Sequence, residues 1–347
     1  MAEFEAEDAL EAVLPDHGGD LAFAARHYGM PAEGWLDLST GINPNGYTPP
    51  VLARHLVARL PDQAELDALI ATARTAYGAP ASVAMLATPG TELAVRLLPH
   101  VAPPGTVAIV GPTYSSHRAG WTAADRDIVT ASSLAAVPSD ATTVIVGNPN
   151  NPDGRTCLPE ELAPIARSLA ERNGLLIVDE AYADLRPDLS LMPQLADTPA
   201  LVLRSVGKFY GLGGIRLGFA AGHRATIERL REMIGAWPVS GPAIAVGKAA
   251  LADDGWRNQK RRRLKHDGER LRKILAAHNL AIAGSTDLFA LVEDTHARQI
   301  HRQLAERGIW TRVFHYEWRW IRFGLPTEAG FGRLERALNE IRPSPSA

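Results

Sequence analysis

The sequence predicts an α/β fold, a parallel sheet with helices on both faces, on three observations. Short apolar runs rich in β-branched residues recur at 106–110, 142–146, 175–178 and 201–203, the pattern of strands buried on both faces. Helical stretches separate them, and the one at 159–173 opens on Pro159, Glu160 and Glu161 and stops at Gly174, the residues that favour helix starts and ends. The 347 residues, 46% hydrophobic and 22% charged, suffice for two packed domains at about 150 residues each.

In chain order, residues 1–48 read as an irregular arm, broken by Gly and by Pro31 and Pro44, that packs on the small domain and the active site. Residues 49–236 carry the alternating pattern and form a large α/β domain. After about residue 235 the texture changes: Pro238, Gly241 and Pro242 lead into a helical stretch at 243–279. An extended run at 286–292, a helix near 295–307, two strands near 309–324 and a closing helix near 328–341 follow. These make 237–347 a smaller α+β domain. The run KRRRLK at 260–265 reads as the solvated face of a helix.

Charge and composition exclude several function classes. With 36 Lys+Arg against 39 Asp+Glu the net charge is −3, which gives no field for gripping nucleic acid. No apolar run approaches the roughly 18 to 20 residues that cross a bilayer, so no membrane partner is expected. Cys157 is the single cysteine and reads as a small buried residue. The acidic start MAEFEAEDALEA lacks the basic and apolar regions of a signal peptide. The expectation is a cytoplasmic enzyme without a metal.

Lysine is scarce: Lys208 stands alone in the first 247 residues, and only Lys248, Lys260, Lys265 and Lys273 follow. A chain that otherwise takes its positive charge from Arg either keeps this ammonium by chance or needs what only Lys offers, an amine that can lose its proton and attack a carbonyl. Strand 175–178 leads into Asp179-Glu180-Ala181-Tyr182, and strand 201–203 into Ser205-Val206-Gly207-Lys208. Ligands of open α/β sheets bind at such carboxyl ends. Arg216 follows the Gly-rich 211–214, and Pro89-Gly90-Thr91-Glu92 opens a helix whose free N–H groups can hold a phosphate. A P-loop is ruled out, because Phe209 is neither Ser nor Thr and Val202 stands where the first Gly belongs.

An aldehyde-bearing pyridine phosphate needs this set: an amine for the imine, a carboxylate for the ring nitrogen, donors to the phenolic oxygen and a phosphate cup. Lys208, Asp179, Asn151 with Tyr182, and Gly90, Thr91, Ser205 and Arg216 supply them in turn. In NPNNPDG (148–154), DEAY (179–182), SVGKFYGLGGIRLGF (205–219) and the late Arg of WIRFGLP (320–326), the sequence resembles the fold-type I pyridoxal phosphate enzymes, the aspartate aminotransferase superfamily. The resemblance implies a large domain with a mostly parallel seven-stranded sheet between helices and a homodimer with sites at the subunit interface. It also implies that Lys208 links to the cofactor, Asp179 pairs with the ring nitrogen, Asn151 and Tyr182 reach the phenolic oxygen, and Tyr114 stacks on the ring.

His17-Gly18-Gly19, followed by WLDLSTGINPNG at 35–46, resembles the threonine-phosphate decarboxylases of cobalamin biosynthesis. That resemblance implies decarboxylation of O-phospho-L-threonine, a phosphorylated amino acid, to (R)-1-amino-2-propanol O-2-phosphate. Arg322 is then the carboxylate ligand, His17, Gly18 and Arg333 are candidates for the phosphate, and Gly41 and Asn151 face the substrate. Gly41 replaces the Asn usual in that segment, and Leu60 replaces a Tyr that reaches a neighbouring subunit's cofactor phosphate. Two alternatives stand beside this one: a histidinol-phosphate-type aminotransferase and a noncatalytic pyridoxal-phosphate-binding module.

Overall fold

The computed structural model describes Pro15 and residues 17–342; the acidic segment 1–12 lies outside them. Two compact units divide the chain: 42–266, and 1–41 together with 267–347. The sequence boundaries were placed at 48/49 and 236/237, whereas the compact units part at 41/42 and 266/267. One reason is helix Gly241–Ala252, which packs along helix Gln63–Tyr77. There a Cβ on Gly247 would lie 3.3 Å from Leu69 Cδ1 of that helix and 2.2 Å from Leu217 Cδ2, so glycine leaves room for both side chains.

The unit 42–266 is built on seven strands: β1 (Ala84–Thr88), β2 (Val107–Val110), β3 (Ile128–Ala131), β4 (Thr143–Gly147), β5 (Leu175–Asp179), β6 (Ala200–Ser205) and β7 (Gly218–Gly222). Their order is β1-β7-β6-β5-β4-β2-β3. β3, β2, β4, β5 and β6 are parallel, while β7 runs antiparallel to both β6 and β1. Leu86, Ile109, Ile145, Ile177, Leu201 and Leu203 from the sheet form one core with Val95, Leu98 and Trp121 from the covering helices. Burial of such side chains at about 25 cal/mol per Å² drives the assembly.

Periodicity had identified β2, β4, β5 and β6. β1 (AMLAT) and β7 (GFAAG) are poor in β-branched residues, β3 (IVTA) is an edge strand with its two middle residues exposed, and tertiary pairing fixes them as strands. The helical stretch predicted at 243–279 is two helices, Gly241–Ala252 and Asp254–Ala277. Asp253 between them leaves the helical conformation, at φ −87° and ψ 80°.

The second unit carries a four-stranded antiparallel sheet of β8 (Ala281–Thr286), β9 (Phe289–Glu293), β10 (Arg312–Phe314) and β11 (Glu317–Gly324), in the order β10-β11-β9-β8. The extended run predicted at 286–292 belongs to two strands, because Asp287 and Leu288 turn the chain between β8 and β9. Helices Ala297–Glu306 and Glu328–Ile341 pack together beside this sheet. Phe23 and Ala24 of helix Leu21–Tyr28 join Ala305 and Trp310 in a separate core cluster.

His301 is buried in this unit, its Nδ1 2.7 Å from Thr311 Oγ1, and burial together with the charges of Arg298 and Arg312 pushes its pKa down to about 3. The unfolded imidazole takes up its proton near pH 6.5. Between these values the unfolded state binds more protons, so acid removes stability in this window. Relative to His301→Gln, the parent is expected to lose about 1 kcal/mol more per pH unit from about pH 6 to about pH 4 in urea unfolding. Parallel pH profiles for the two proteins would contradict this.

Candidate active site

Because β4, β5 and β6 run parallel, their carboxyl ends bring Gly147, Asp179 and Ser205 to one edge of the sheet. The order reverses at β2: the chain moves from β2 outward to β3, then crosses back to β4 on β2's other side. The loops after β2 and β4 therefore diverge and leave a crevice. They carry Tyr114 and Asn151. A cavity of about 210 Å³ opens there, lined by Lys208, Asp179, Tyr182, Asn151, Tyr114 and Arg216, with Gly90, Thr91, Glu92 and Ser205 on its wall. All ten cofactor residues expected from the sequence thus meet in one cavity of one unit.

Asp179 ends β5 with its carboxylate largely buried. Oδ2 lies 2.9 Å from His117 Nε2, and Oδ1 accepts the Ala181 N–H at 3.1 Å. Two anchors fix its direction toward the cavity. The sequence reading missed His117, which stands three residues after Tyr114 in the helix Ser115–Ala123; that helical spacing was the available signal. Next to Asp179, Glu180 faces away from solvent and meets Arg204 at 3.0 Å, as does Asp184. Burial raises the Glu180 carboxyl pKa despite Arg204. Arg204 also lies over the Tyr77 ring at 4.2 Å. Removing one member of such a buried group leaves uncompensated charge, so the cluster holds the backbone on both sides of Tyr182.

The loop after β4 is pinned by two buried asparagines. Asn148 Nδ2 donates to the carbonyls of Cys157 and Leu189 at 2.9 and 3.0 Å, and its Oδ1 accepts the Cys157 N–H at 3.0 Å. Asn150 bridges to the neighbouring loop: Nδ2 donates to Pro112 O at 2.9 Å, and Oδ1 accepts from Thr113 Oγ1 at 2.6 Å. Asn151 is thereby left to line the cavity. Tyr114 donates its phenol to Glu92 Oε2 at 3.0 Å, and burial pushes its pKa up to about 12. Partial burial raises the Glu92 carboxyl, yet hydrogen bonds led by Arg96 outweigh it and hold the group below its usual range.

The remaining wall suits an anion. Helix Thr91–Val101 starts at Gly90, whose φ of +78° excludes most side chains. A Cβ there would sit 2.5 Å from Arg216 Nη2, and one on Gly218 would sit 2.8 Å from the Thr91 nitrogen. Two missing side chains thus leave a cradle between helix N–H groups and a guanidinium, where a phosphate is favoured. Lys208 Nζ lies 5.7 Å from the Tyr182 ring centroid. A pyridine aldehyde phosphate fits this donor set, with cradle, amine and carboxylate all opening on one cavity.

Of the substrate residues expected from the sequence, Asn151 lines the cavity, and the others lie in the other unit. Arg322 Nη2 donates to Ser39 O at 2.8 Å, and its guanidinium lies 5.1 Å from the Phe289 ring centroid. Gly18 abuts the same residue, since a Cβ on it would lie 2.3 Å from Ser39 O. Gly19 N–H donates to Ser39 Oγ at 2.8 Å. Gly18, Gly19 and Arg322 therefore converge on Ser39, two residues before Gly41, and His17 lines a small cavity together with Gly18 and Ser39. Arg333 does not join them: its guanidinium donates to the carbonyls of Gly34, Arg307 and Gly308 at 2.7, 3.1 and 3.0 Å. The run 260–265 also differs in part from its sequence reading. Arg262, Arg263 and Lys265 are exposed, but Lys260 Nζ donates to Asn45 O and Arg261 Nε to Asp184 O, both at 2.7 Å.

A mostly parallel seven-stranded sheet with an amine and a carboxylate at adjacent strand ends defines a class, the fold-type I pyridoxal phosphate enzymes. Residues 43–338 match the aminotransferase class I and II family, and the chain belongs to it. It is 38% identical over 326 residues to a threonine-phosphate decarboxylase of Pseudomonas aeruginosa, covering 93% of this chain and 97% of that protein. It is 39% identical over 325 residues to one from Sinorhizobium sp., covering 93% and 97%. Histidinol-phosphate aminotransferase from Sinorhizobium meliloti, solved in complex with pyridoxal-5'-phosphate, has the same fold: TM-score 0.79, 24% identity, 92% of this chain and 94% of that one.

Gly90→Ala is expected to weaken pyridoxal phosphate binding by tenfold or more, about the loss of one charge-assisted hydrogen bond. Gly235→Ala, at φ +81° with nothing within 4 Å, controls for backbone strain. Fluorescence titration of apoprotein measures both. Equal affinities in the two variants would remove Arg216 from the cradle.

Proposed function

We propose that this chain is a pyridoxal-phosphate-dependent carboxy-lyase that converts O-phospho-L-threonine to (R)-1-amino-2-propanol O-2-phosphate in cobalamin biosynthesis. The observation that carries it is the 38–39% identity to two threonine-phosphate decarboxylases, each matched over 93% of this chain. The cofactor is pyridoxal phosphate, and when bound it supplies an electron-poor ring that takes up the electrons of the bond broken at Cα.

The residues of the chain do the rest. Asp179, fixed by His117 and the Ala181 N–H, presents a carboxylate to the ring nitrogen. Asn151 and Tyr182 donate to the phenolic oxygen, and Tyr114, tethered to Glu92, covers a ring face. Gly90, Thr91, Ser205 and Arg216 hold the cofactor phosphate. Lys208 would hold the cofactor through its amine, and that amine, once exchanged for the substrate's, would be placed to move a proton to Cα in place of the carbon dioxide that leaves. Arg322 takes a substrate anion, because planar guanidinium pairs with carboxylate or phosphate in two-point fashion. His17, Gly18 and Gly41 are the further candidates for contacts to the substrate, whereas the Arg333 guanidinium is taken up by its three carbonyl acceptors. No helix among the described residues is long and apolar enough to cross a membrane. We place the enzyme in the cytoplasm as a homodimer; light scattering that finds a fully active monomer would contradict the second point.

Holoenzyme supplied with O-phosphothreonine is expected to release carbon dioxide, and Lys208→Ala to abolish both turnover and the visible absorbance of the lysine-linked cofactor. Glutamate formed from histidinol phosphate and 2-oxoglutarate, with no carbon dioxide from O-phosphothreonine, would replace the lyase by an aminotransferase. Neither product would leave a binding module.

A further inference from the structure

The backbone that carries Lys208 has no ladder or helix of its own, since residues 206–212 lie between β6 and a short turn at Gly213–Ile215. Its polar groups must nevertheless be paired when buried. The partners come from a distant stretch of sequence, the turn at 43–47. Asn43 N–H donates to Lys208 O at 3.0 Å, Asn43 Nδ2 to Phe209 O at 2.8 Å, and Tyr47 N–H to Tyr210 O at 2.8 Å. Three successive carbonyls are thus held by one turn. Asn43 Oδ1 in turn accepts the Asn45 N–H at 2.9 Å, which closes the turn on itself.

The two backbones touch. A Cβ on Gly46 would lie 2.7 Å from Tyr210 O, and one on Gly211, at φ +68°, would lie 2.5 Å from Gly46 Cα. On the far side, the Trp256 ring stacks on Tyr210 at 5.6 Å and meets Tyr47 edge-on at 5.3 Å. Lys260, one turn further along the helix, donates to Asn45 O. Asn43 itself is buried.

We propose that Asn43 is a positioning residue for Lys208: its side-chain amide and main-chain N–H set the direction in which the lysine leaves its loop. The proposal rests on the reading of Lys208 as the amine that holds the cofactor. Losing the Nδ2 donor strands the Phe209 carbonyl and lets the loop relax next to the reacting amine. A lysine displaced by a fraction of an ångström still permits substrate binding but slows the proton delivery that depends on alignment.

Asn43→Ser keeps an oxygen near the Asn45 N–H, and its one-atom-shorter side chain withdraws the amide donor from Phe209 O. In holoenzyme it is expected to lower kcat by about tenfold with KM within about twofold, the pattern of an interaction that matters after binding. It is also expected to move the midpoint of the visible-absorbance pH titration by about half a unit, which a purely scaffolding residue would leave in place. Asn43→Ala should do more of both; if it does not fold, the Ser variant carries the test. A parent band that survives Lys208→Ala overturns the functional reading and this proposal with it. A band lost in Lys208→Ala, with kcat and midpoint unchanged in Asn43→Ser, overturns this proposal alone.

Discussion

A carboxylate held almost out of water, at the end of a parallel strand and against a buried imidazole, is the constraint on which this site depends. Asp179 occupies the position where β5 runs out of ladder partners, and its two oxygens are fixed by His117 Nε2 and by the Ala181 N–H. Such a group is costly to bury unless a cation or hydrogen bonds compensate it. Among the described residues, His117 Nδ1 has no hydrogen-bond partner, so the pair is anchored from one side only. A positively charged heterocycle in the cavity would complete the compensation. The neighbouring charge cluster, Arg204 with Glu180 and Asp184, closes on itself and leaves Asp179 to the cavity.

Around that carboxylate the fold works by letting backbones approach where side chains would collide. Gly90 and Gly218 open the cradle for an anion. Gly46 and Gly211 allow the 43–47 turn to lie on the lysine loop. In the other unit, Gly18 lies against the Ser39 carbonyl, and a Cβ on Gly324 would lie 2.2 Å from Thr40 O. Ser39 therefore sits where the HGG segment, the strand end and Arg322 meet. Glycine's conformational freedom is a liability inside regular elements, and these positions fall at element ends or in turns.

The four strands rich in Val, Ile and Leu were legible because burial on both faces leaves a continuous apolar run. β7 was hidden: its GFAAG has no β-branched residue, and pairing with β6 and β1 on either side makes it a strand. Most of the residues that line the cavity were legible because they end or follow a strand or open a helix, where local sequence announces a ligand-facing end; Arg216 instead follows the Gly-rich run 211–214. His117 and Asn43 were not, because their roles depend on partners 62 and 166 residues away, Asp179 and Phe209. Arg333 carried a misleading signal: an Arg on a late helix looks like an anion ligand, and only tertiary structure reveals the three carbonyls that occupy it. The basic run 260–265 reads as one solvated helix face, and neither charge nor helical spacing separates Lys260 and Arg261 from their solvated neighbours.

The central claim is that one amine, at the end of β6, holds the cofactor. Borohydride reduction of the holoenzyme followed by proteolysis and mass spectrometry tests it most directly. The account predicts the mass of the reduced cofactor on the peptide bearing Lys208 and on no other. The label on Lys248, Lys260, Lys265 or Lys273, or its absence from every peptide, would contradict it.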